Sequence, residues 1–177
     1  MDIKRQWAMP NKNTFSIKPI NQLIMETIEI MKGELQTEQL CIVDPFANSC
    51  KIATITNDLD TQYDTDYHLD ALDFLKIFED NSVDMVLWDP PYSPRQVAEC
   101  YKELGQTVNM QTTQASYWSK QKAEISRIVK KGGYVLTCSW NSGGVDDKYG
   151  FQIKKILLIP HGGWHNDTIC VLDHKYK

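Results

Sequence analysis

Apolar positions along the chain fall into short runs that switch between helical and strand spacing. Residues 1–13 are mainly polar, with Pro10 and two asparagines, and predict an arm ahead of the first element. Between Pro19 and Lys32, Ile20, Leu23, Ile24, Ile28 and Met31 recur at helical spacing, with Pro19 at the first position and Gly33 as the expected stop. Leu40–Val43 predicts a short buried strand running into Asp44-Pro45, and Ile52–Thr56 a second ending in Asn57-Asp58. Beyond the polar stretch Asp60–Asp66, Tyr67–Leu69 fits a short third strand closing on Asp70. Ala71–Phe78 reads as a helix through Leu72, Leu75 and Phe78, and the apolar run Val83–Trp88 as a fourth strand.

Downstream, Pro94–Leu104 predicts a helix and residues 105–113 an irregular polar stretch. Trp118, Ile125, Ile128 and Val129 share one helical face, which Gly132-Gly133 is expected to end before a fifth strand, Tyr134–Cys138. Phe151–Ile159 and Thr168–Leu172 flank a Pro160-His161-Gly162-Gly163 turn and predict a hairpin, so one terminal strand should run antiparallel. Strands alternating with helices, each closing on a polar cluster, argue for an α/β architecture. Its sheet would be mostly parallel, with ligands at the strand C-termini.

Composition narrows the class. At 177 residues, 42% apolar and 24% charged, the chain suits one globular domain spanning 1–177. It carries no apolar run long enough for a membrane and no signal-peptide core after Met1, so a cytoplasmic protein is expected. Five scattered cysteines without a C-x-x-C pair read as reduced thiols. The net charge of −4 weighs against a strong nonspecific grip on nucleic acid, although a local patch would decide it. Arg95, Lys102, Lys120, Lys122, Arg127, Lys130 and Lys131 are candidates for such a patch or for a solvated helix face.

The chemistry concentrates where the fourth strand stops, at Asp89-Pro90-Pro91-Tyr92-Ser93. Two prolines fix the turn and donate nothing, leaving a carboxylate, a carbonyl and an aromatic ring at the strand tip. That trio suits an exocyclic amino group on a planar base. The Asp89 carboxylate and Pro90 carbonyl could bind its N–H groups and draw the nitrogen toward tetrahedral geometry, with Tyr92 stacked on the base. A plain strand-to-helix turn in which Asp89 caps the next helix is the alternative.

Asp89-Pro90-Pro91-Tyr92 resembles motif IV of the amino-methyltransferases, which move a methyl group from S-adenosylmethionine to adenine N6 or cytosine N4. Asp44-Pro45-Phe46-Ala47-Asn48-Ser49-Cys50 resembles their D-P-F-x-G-x-G motif I, and Phe15-Ser16-Ile17-Lys18-Pro19 is similar to motif X. The order X, I, IV is like the gamma arrangement. The resemblance implies a Rossmann-like class I methyltransferase fold, a seven-stranded sheet with its last strand reversed. It implies Asp89, Pro90, Pro91 and Tyr92 as the catalytic turn, with Ser93, Arg95, Trp140 and Trp164 beside the substrate. Adenine is preferred over cytosine because D-P-P-Y leans that way in the family, with DNA as the partner and RNA possible.

For the cofactor, Asp44–Cys50 would supply the concave turn for the methionine end. Asp58 would accept the ribose hydroxyls, and Asp70 would meet the adenine N6 amino group with Leu72 as an apolar wall; Ala71 is a further cofactor-binding candidate. Phe15 and Ser16 would cover the cofactor from outside the sheet, and Asp89 would border it. Asn48 and Cys50 replace the family's glycines; Asn is the residue other than glycine that best tolerates a left-handed backbone. His161 and His165 lie in a Gly-rich turn without a third ligand, so no metal is expected. A separate target-recognition domain is lacking. A small recognition insert, 94–118, is the remaining candidate, and specificity could otherwise come from a homodimer mate or partner.

Overall fold

The structure, a computed structural model, describes residues 1–105 and 116–177. Seven strands form one sheet: β1 (Asp2–Arg5), β2 (Ile42–Asp44), β3 (Ile55–Thr56), β4 (Val83–Trp88), β5 (Val129–Ser139), β6 (Phe151–Ile159) and β7 (Thr168–Lys175). Their order is β1-β6-β7-β5-β4-β2-β3, and among the described residues β7 alone is reversed, antiparallel to both β5 and β6. Helix α1 (Lys18–Leu35) covers one face. On the other lie α2 (Ala71–Lys76) and α4 (Ser116–Ile128), with α3 (Pro94–Glu103) following the β4 tip.

Alternation along β4 divides its side chains between the two layers. Met85 and Leu87 pack with Ile20, Ile24 and Ile28 of α1, whereas Val86 and Trp88 pack with Phe74 and Leu75 of α2 and Ile125 and Ile128 of α4. From β2 the chain proceeds to β3 on one side, then returns to place β4 on the other. The crevice at the carboxyl ends of β2 and β4 is therefore the switch point where open α/β sheets bind ligands.

Five expectations need correction. The N-terminal arm contains a strand: Asp2–Arg5 pairs in parallel with Lys155–Leu158, fully exposed, so no buried alternation marks it. The third strand, Tyr67–Leu69, shrinks to a single bridge from Tyr67 to Asn57, and the second to Ile55–Thr56. Gly33 does not stop α1, which runs to Leu35 and ends when Gln36 turns left-handed at φ 50° and donates its N–H to the Lys32 carbonyl. Gly132-Gly133 does not separate α4 from β5 either; both lie inside β5, where the register jumps from Val83–Val129 to Met85–Tyr134. A β-carbon on Gly133 would lie 2.6 Å from the Asp84 carbonyl oxygen, so the backbone approaches closely there.

Candidate active site

Asp89 follows β4 directly, and the turn behind it is held from two helices. Trp118 of α4 donates its indole N–H to the Pro91 carbonyl at 3.0 Å, and the Tyr92 N–H donates to Gln96 Oε1 of α3 at 2.6 Å. Ser93 caps α3, its Oγ accepting the Gln96 N–H at 3.2 Å. That leaves Asp89 free of the capping role, and it borders a cavity at the sheet crevice. Ser93-Pro94-Arg95-Gln96 was the available signal: it is an S-x-x-Q capping box whose glutamine reaches one residue further back than usual.

Asp89 Oδ1 accepts the Tyr92 hydroxyl at 2.5 Å, and Thr14, from the segment preceding α1, lines the same cavity with its hydroxyl favouring the charged carboxylate. Burial raises the Asp89 pKa to about 6, and the two hydroxyl donors work against that rise. Burial first, then the neighbouring Asp89 charge, push the Tyr92 phenol far above its ordinary value, so it remains a donor. The Tyr92 ring meets Trp140 edge-on, with centroids 5.6 Å apart. Thr14 escaped the sequence reading because an isolated threonine in a polar arm carries no spacing signal.

The cavity beside Asp89 measures about 610 Å³. Phe15, Pro45, Phe46, Ala47, Asn48, Asp58, Asp70, Ala71, Pro90, Pro91 and Tyr92 all line it, so five separated stretches of sequence converge there. Asn48 adopts the left-handed conformation at φ 52° and donates its N–H to Asp58 Oδ2 at 2.9 Å, linking the β2 turn to the end of β3. Asp70 caps α2 through Leu72 N–H at 2.9 Å and accepts the Tyr101 hydroxyl on its other oxygen. Ionisable wall residues are Asp58, Asp60, Asp70, Asp89, Glu99 and Glu103 against Lys12, so the cleft favours a cationic ligand.

Ser16, Asp44 and Ser49 do not line the cavity: the two serines are exposed and Asp44 is buried. The hydroxyl of Ser16 donates to the Asn13 carbonyl at 2.7 Å, and that of Ser49 accepts from Asn13 Nδ2 at 2.7 Å. Asp44 is fully buried; Oδ1 accepts the Phe46 N–H at 3.0 Å, Oδ2 has no partner among the described residues, and burial holds its pKa well above the usual carboxylate range.

A second cavity, about 290 Å³, opens on the other side of the turn and shares Pro90, Pro91 and Tyr92 with the first. Trp88, Trp118, Lys122, Thr137, Ser139 and Asn141 complete most of its wall. The remaining sequence candidates lie elsewhere. Arg95 is exposed and paired with Glu99 at 2.7 Å, and Trp164 is entirely exposed and borders neither cavity. Residues 106–115 of the suggested recognition insert lie outside the described residues. His161 bonds the Ala8 carbonyl and Thr168 Oγ1, tying the N-terminal segment to the hairpin. Of the basic candidates, Arg127 pairs with Asp80 and Glu124, Lys130 with Asp84, and Lys122 donates to the Gly144 carbonyl. Among the described residues, no helix is long and apolar enough to cross a membrane.

No protein-family model and no curated protein matches the sequence. The fold does have solved counterparts. Over 86% of this chain and 77% of the other, it superposes on the 1,6-didemethyltoxoflavin-N1-methyltransferase of Burkholderia thailandensis with a TM-score of 0.54 at 9% identity. A protein of Haemophilus influenzae provisionally described as a methylase, HI0767, matches with a TM-score of 0.53 at 12% identity, over 89% of this chain and 88% of that one. The chain therefore has the Rossmann-like methyltransferase fold, and the site above occupies the crevice of that fold.

Proposed function

We propose that the protein is an S-adenosylmethionine-dependent methyltransferase acting on the exocyclic N6 of adenine in DNA. The observation that carries this reading is Asp89, a carboxylate free of capping that borders the larger cavity, beside Pro90 and Tyr92, which border both cavities. The larger cavity fits the cofactor: its walls are acidic, and Asn48 already adopts the left-handed backbone that the missing glycine would supply. Asp58 would hold the ribose hydroxyls, Asp70 and Ala71 the adenine, and Pro45–Asn48 the methionine end. When bound, S-adenosylmethionine supplies an electrophilic methyl on a cationic sulfur.

The chain's own residues prepare the nucleophile. An aryl amine is weakly nucleophilic because its lone pair is conjugated with the ring. Asp89 and the Pro90 carbonyl accept its two N–H bonds, releasing that lone pair, and their attraction grows as positive charge builds on nitrogen. The incoming N–H takes the place that the Tyr92 hydroxyl holds in the free protein. The nitrogen would then form its new bond to the methyl carbon as that carbon's bond to sulfur breaks, leaving a neutral thioether, and the proton the nitrogen loses would leave by way of Asp89. Adenine is favoured by the D-P-P-Y sequence, and a flipped-out base would reach the turn.

The test is label transfer from S-adenosylmethionine to DNA, RNA and free nucleosides, with calorimetric titration of the cofactor. N6-methyladenine in DNA is expected; label only in RNA, or on cytosine N4, would replace the substrate. Asp89→Ala should abolish transfer and leave cofactor affinity within about tenfold, roughly 1.4 kcal/mol. The Tyr92–Asp89 bond favours one second reading, a cofactor-binding partner protein without turnover, and cofactor binding with no transfer to any acceptor would select it.

A further inference from the structure

The smaller cavity contains a polar group that the amine-activating turn does not use. Thr137 lies on β5 in register with Trp88 of β4, one strand across from the start of the turn. It is 3% exposed, its Oγ1 has no partner among the described residues, and it lines the cavity. A buried hydroxyl without a partner is destabilising unless something fills the space and bonds it. The other wall residues indicate what that is. Pro91, Trp88 and Trp118 are flat and apolar, which suits a planar ring. Lys122, half-buried, lies 5.8 Å from the centre of the Trp88 ring and uses one N–H on the Gly144 carbonyl. Both polar groups can therefore donate to an acceptor-bearing ring.

We propose that this cavity receives the ring of an amino-substituted nitrogen heterocycle, and that the Thr137 hydroxyl donates to the ring nitrogen bonded to the amino-bearing carbon. The proposal rests on the amine-activation reading and adds how the ring is chosen. Asp89 borders the larger cavity, whereas Pro90, Pro91 and Tyr92 border both. The amino group stays at Asp89 and Pro90, the ring lies along these shared residues on the smaller cavity's side, and its neighbouring nitrogen meets Thr137. Adenine presents that edge through N1 and N6. A heterocycle with C–H at this position would leave the hydroxyl buried and unpaired, and it would be rejected for that reason. Thr137 would then be a specificity-determining residue, with Lys122 closing the far end.

The experiment titrates adenosine and 1-deazaadenosine, in which ring N1 is replaced by C–H, into the cofactor-loaded protein and follows the fluorescence of the wall tryptophans. In the wild type, adenosine should bind about tenfold tighter. Thr137→Val should bring adenosine down to the level of 1-deazaadenosine, and Thr137→Ser, which keeps the hydroxyl, should preserve the preference. Equal binding of the two nucleosides by the wild type would overturn the assignment without any variant. So would a preference that persists in a folded Thr137→Val protein. If either result accompanied methyl transfer to adenine N6, the reaction would stand and only the role of Thr137 would fall. If neither nucleoside bound and no N6-methyladenine appeared in DNA, both readings would fall.

Discussion

Asp89 depends on its neighbours at the scale of single atoms. Burial disfavours its charge, while hydroxyls from Thr14 and Tyr92 favour it, leaving a pKa of about 6. Only the ionised carboxylate can accept both an N–H bond and the developing charge, so methyl transfer should rise as pH passes through about 6 and level off above it. Tyr92→Phe removes one donor to the charged form. It should shift the acidic limb of the kcat/KM profile to higher pH, and a limb that stayed put would refute the idea that Tyr92 tunes the carboxylate. Asp89 was legible because a carboxylate followed by two prolines interrupts an apolar run. Gln96 was legible in the S-x-x-Q spacing that begins at Ser93, whereas Thr14 was not, since nothing in the sequence ties it to a carboxylate 75 residues away.

Two glycines read as stops show how far element boundaries can be inferred from sequence. Gly33 sits on the exposed side of α1, where an added β-carbon would meet no atom within 4 Å, and seven buried residues of the same helix carry it past the glycine. Gly33→Ala should therefore raise stability by about 0.5–1 kcal/mol, read as a higher denaturant midpoint with unchanged slope. Gly133 presents the reverse situation. A β-carbon there would lie 2.6 Å from the Asp84 carbonyl oxygen and 2.9 Å from that of Lys130, backbone atoms that cannot rotate away. Gly133→Ala should lower stability by about 2 kcal/mol or more. The two residues look alike in sequence, and tertiary contact alone separates them. The exposed strand β1 was hidden for a related reason: it is defined by hydrogen bonds to β6, and its side chains carry no burial pattern.

Across the whole molecule, acids are buried on both sides of the sheet, and folding must keep them there. The alternation of strands and helices made the sheet, its switch point and the reversed hairpin readable. The cost of burying carboxylates was not readable, because it depends on which aspartates the fold encloses. Asp173 on β7 is fully buried; its Oδ2 accepts the Val145 N–H at 2.9 Å, and Oδ1 has no partner among the described residues. Burial raises its pKa from 3.8 to about 6, with Lys122 pulling the other way and Asp146 adding to the rise. Because the folded value lies above the unfolded one, its contribution to stability is complete below pH 3.8 and is lost as pH rises to about 6. A displacement of about two pH units corresponds to roughly 3 kcal/mol. Asp173→Asn cannot ionise, yet its amide would leave a buried donor unpaired, so its absolute stability is a poor guide. The difference between wild type and variant is the informative quantity: it should move in the variant's favour between about pH 4 and pH 7 by a few kcal/mol, measured by urea unfolding at each pH. A difference that stays constant across that range would show that Asp173 is charged in the folded protein throughout, with Lys122 as its compensating cation.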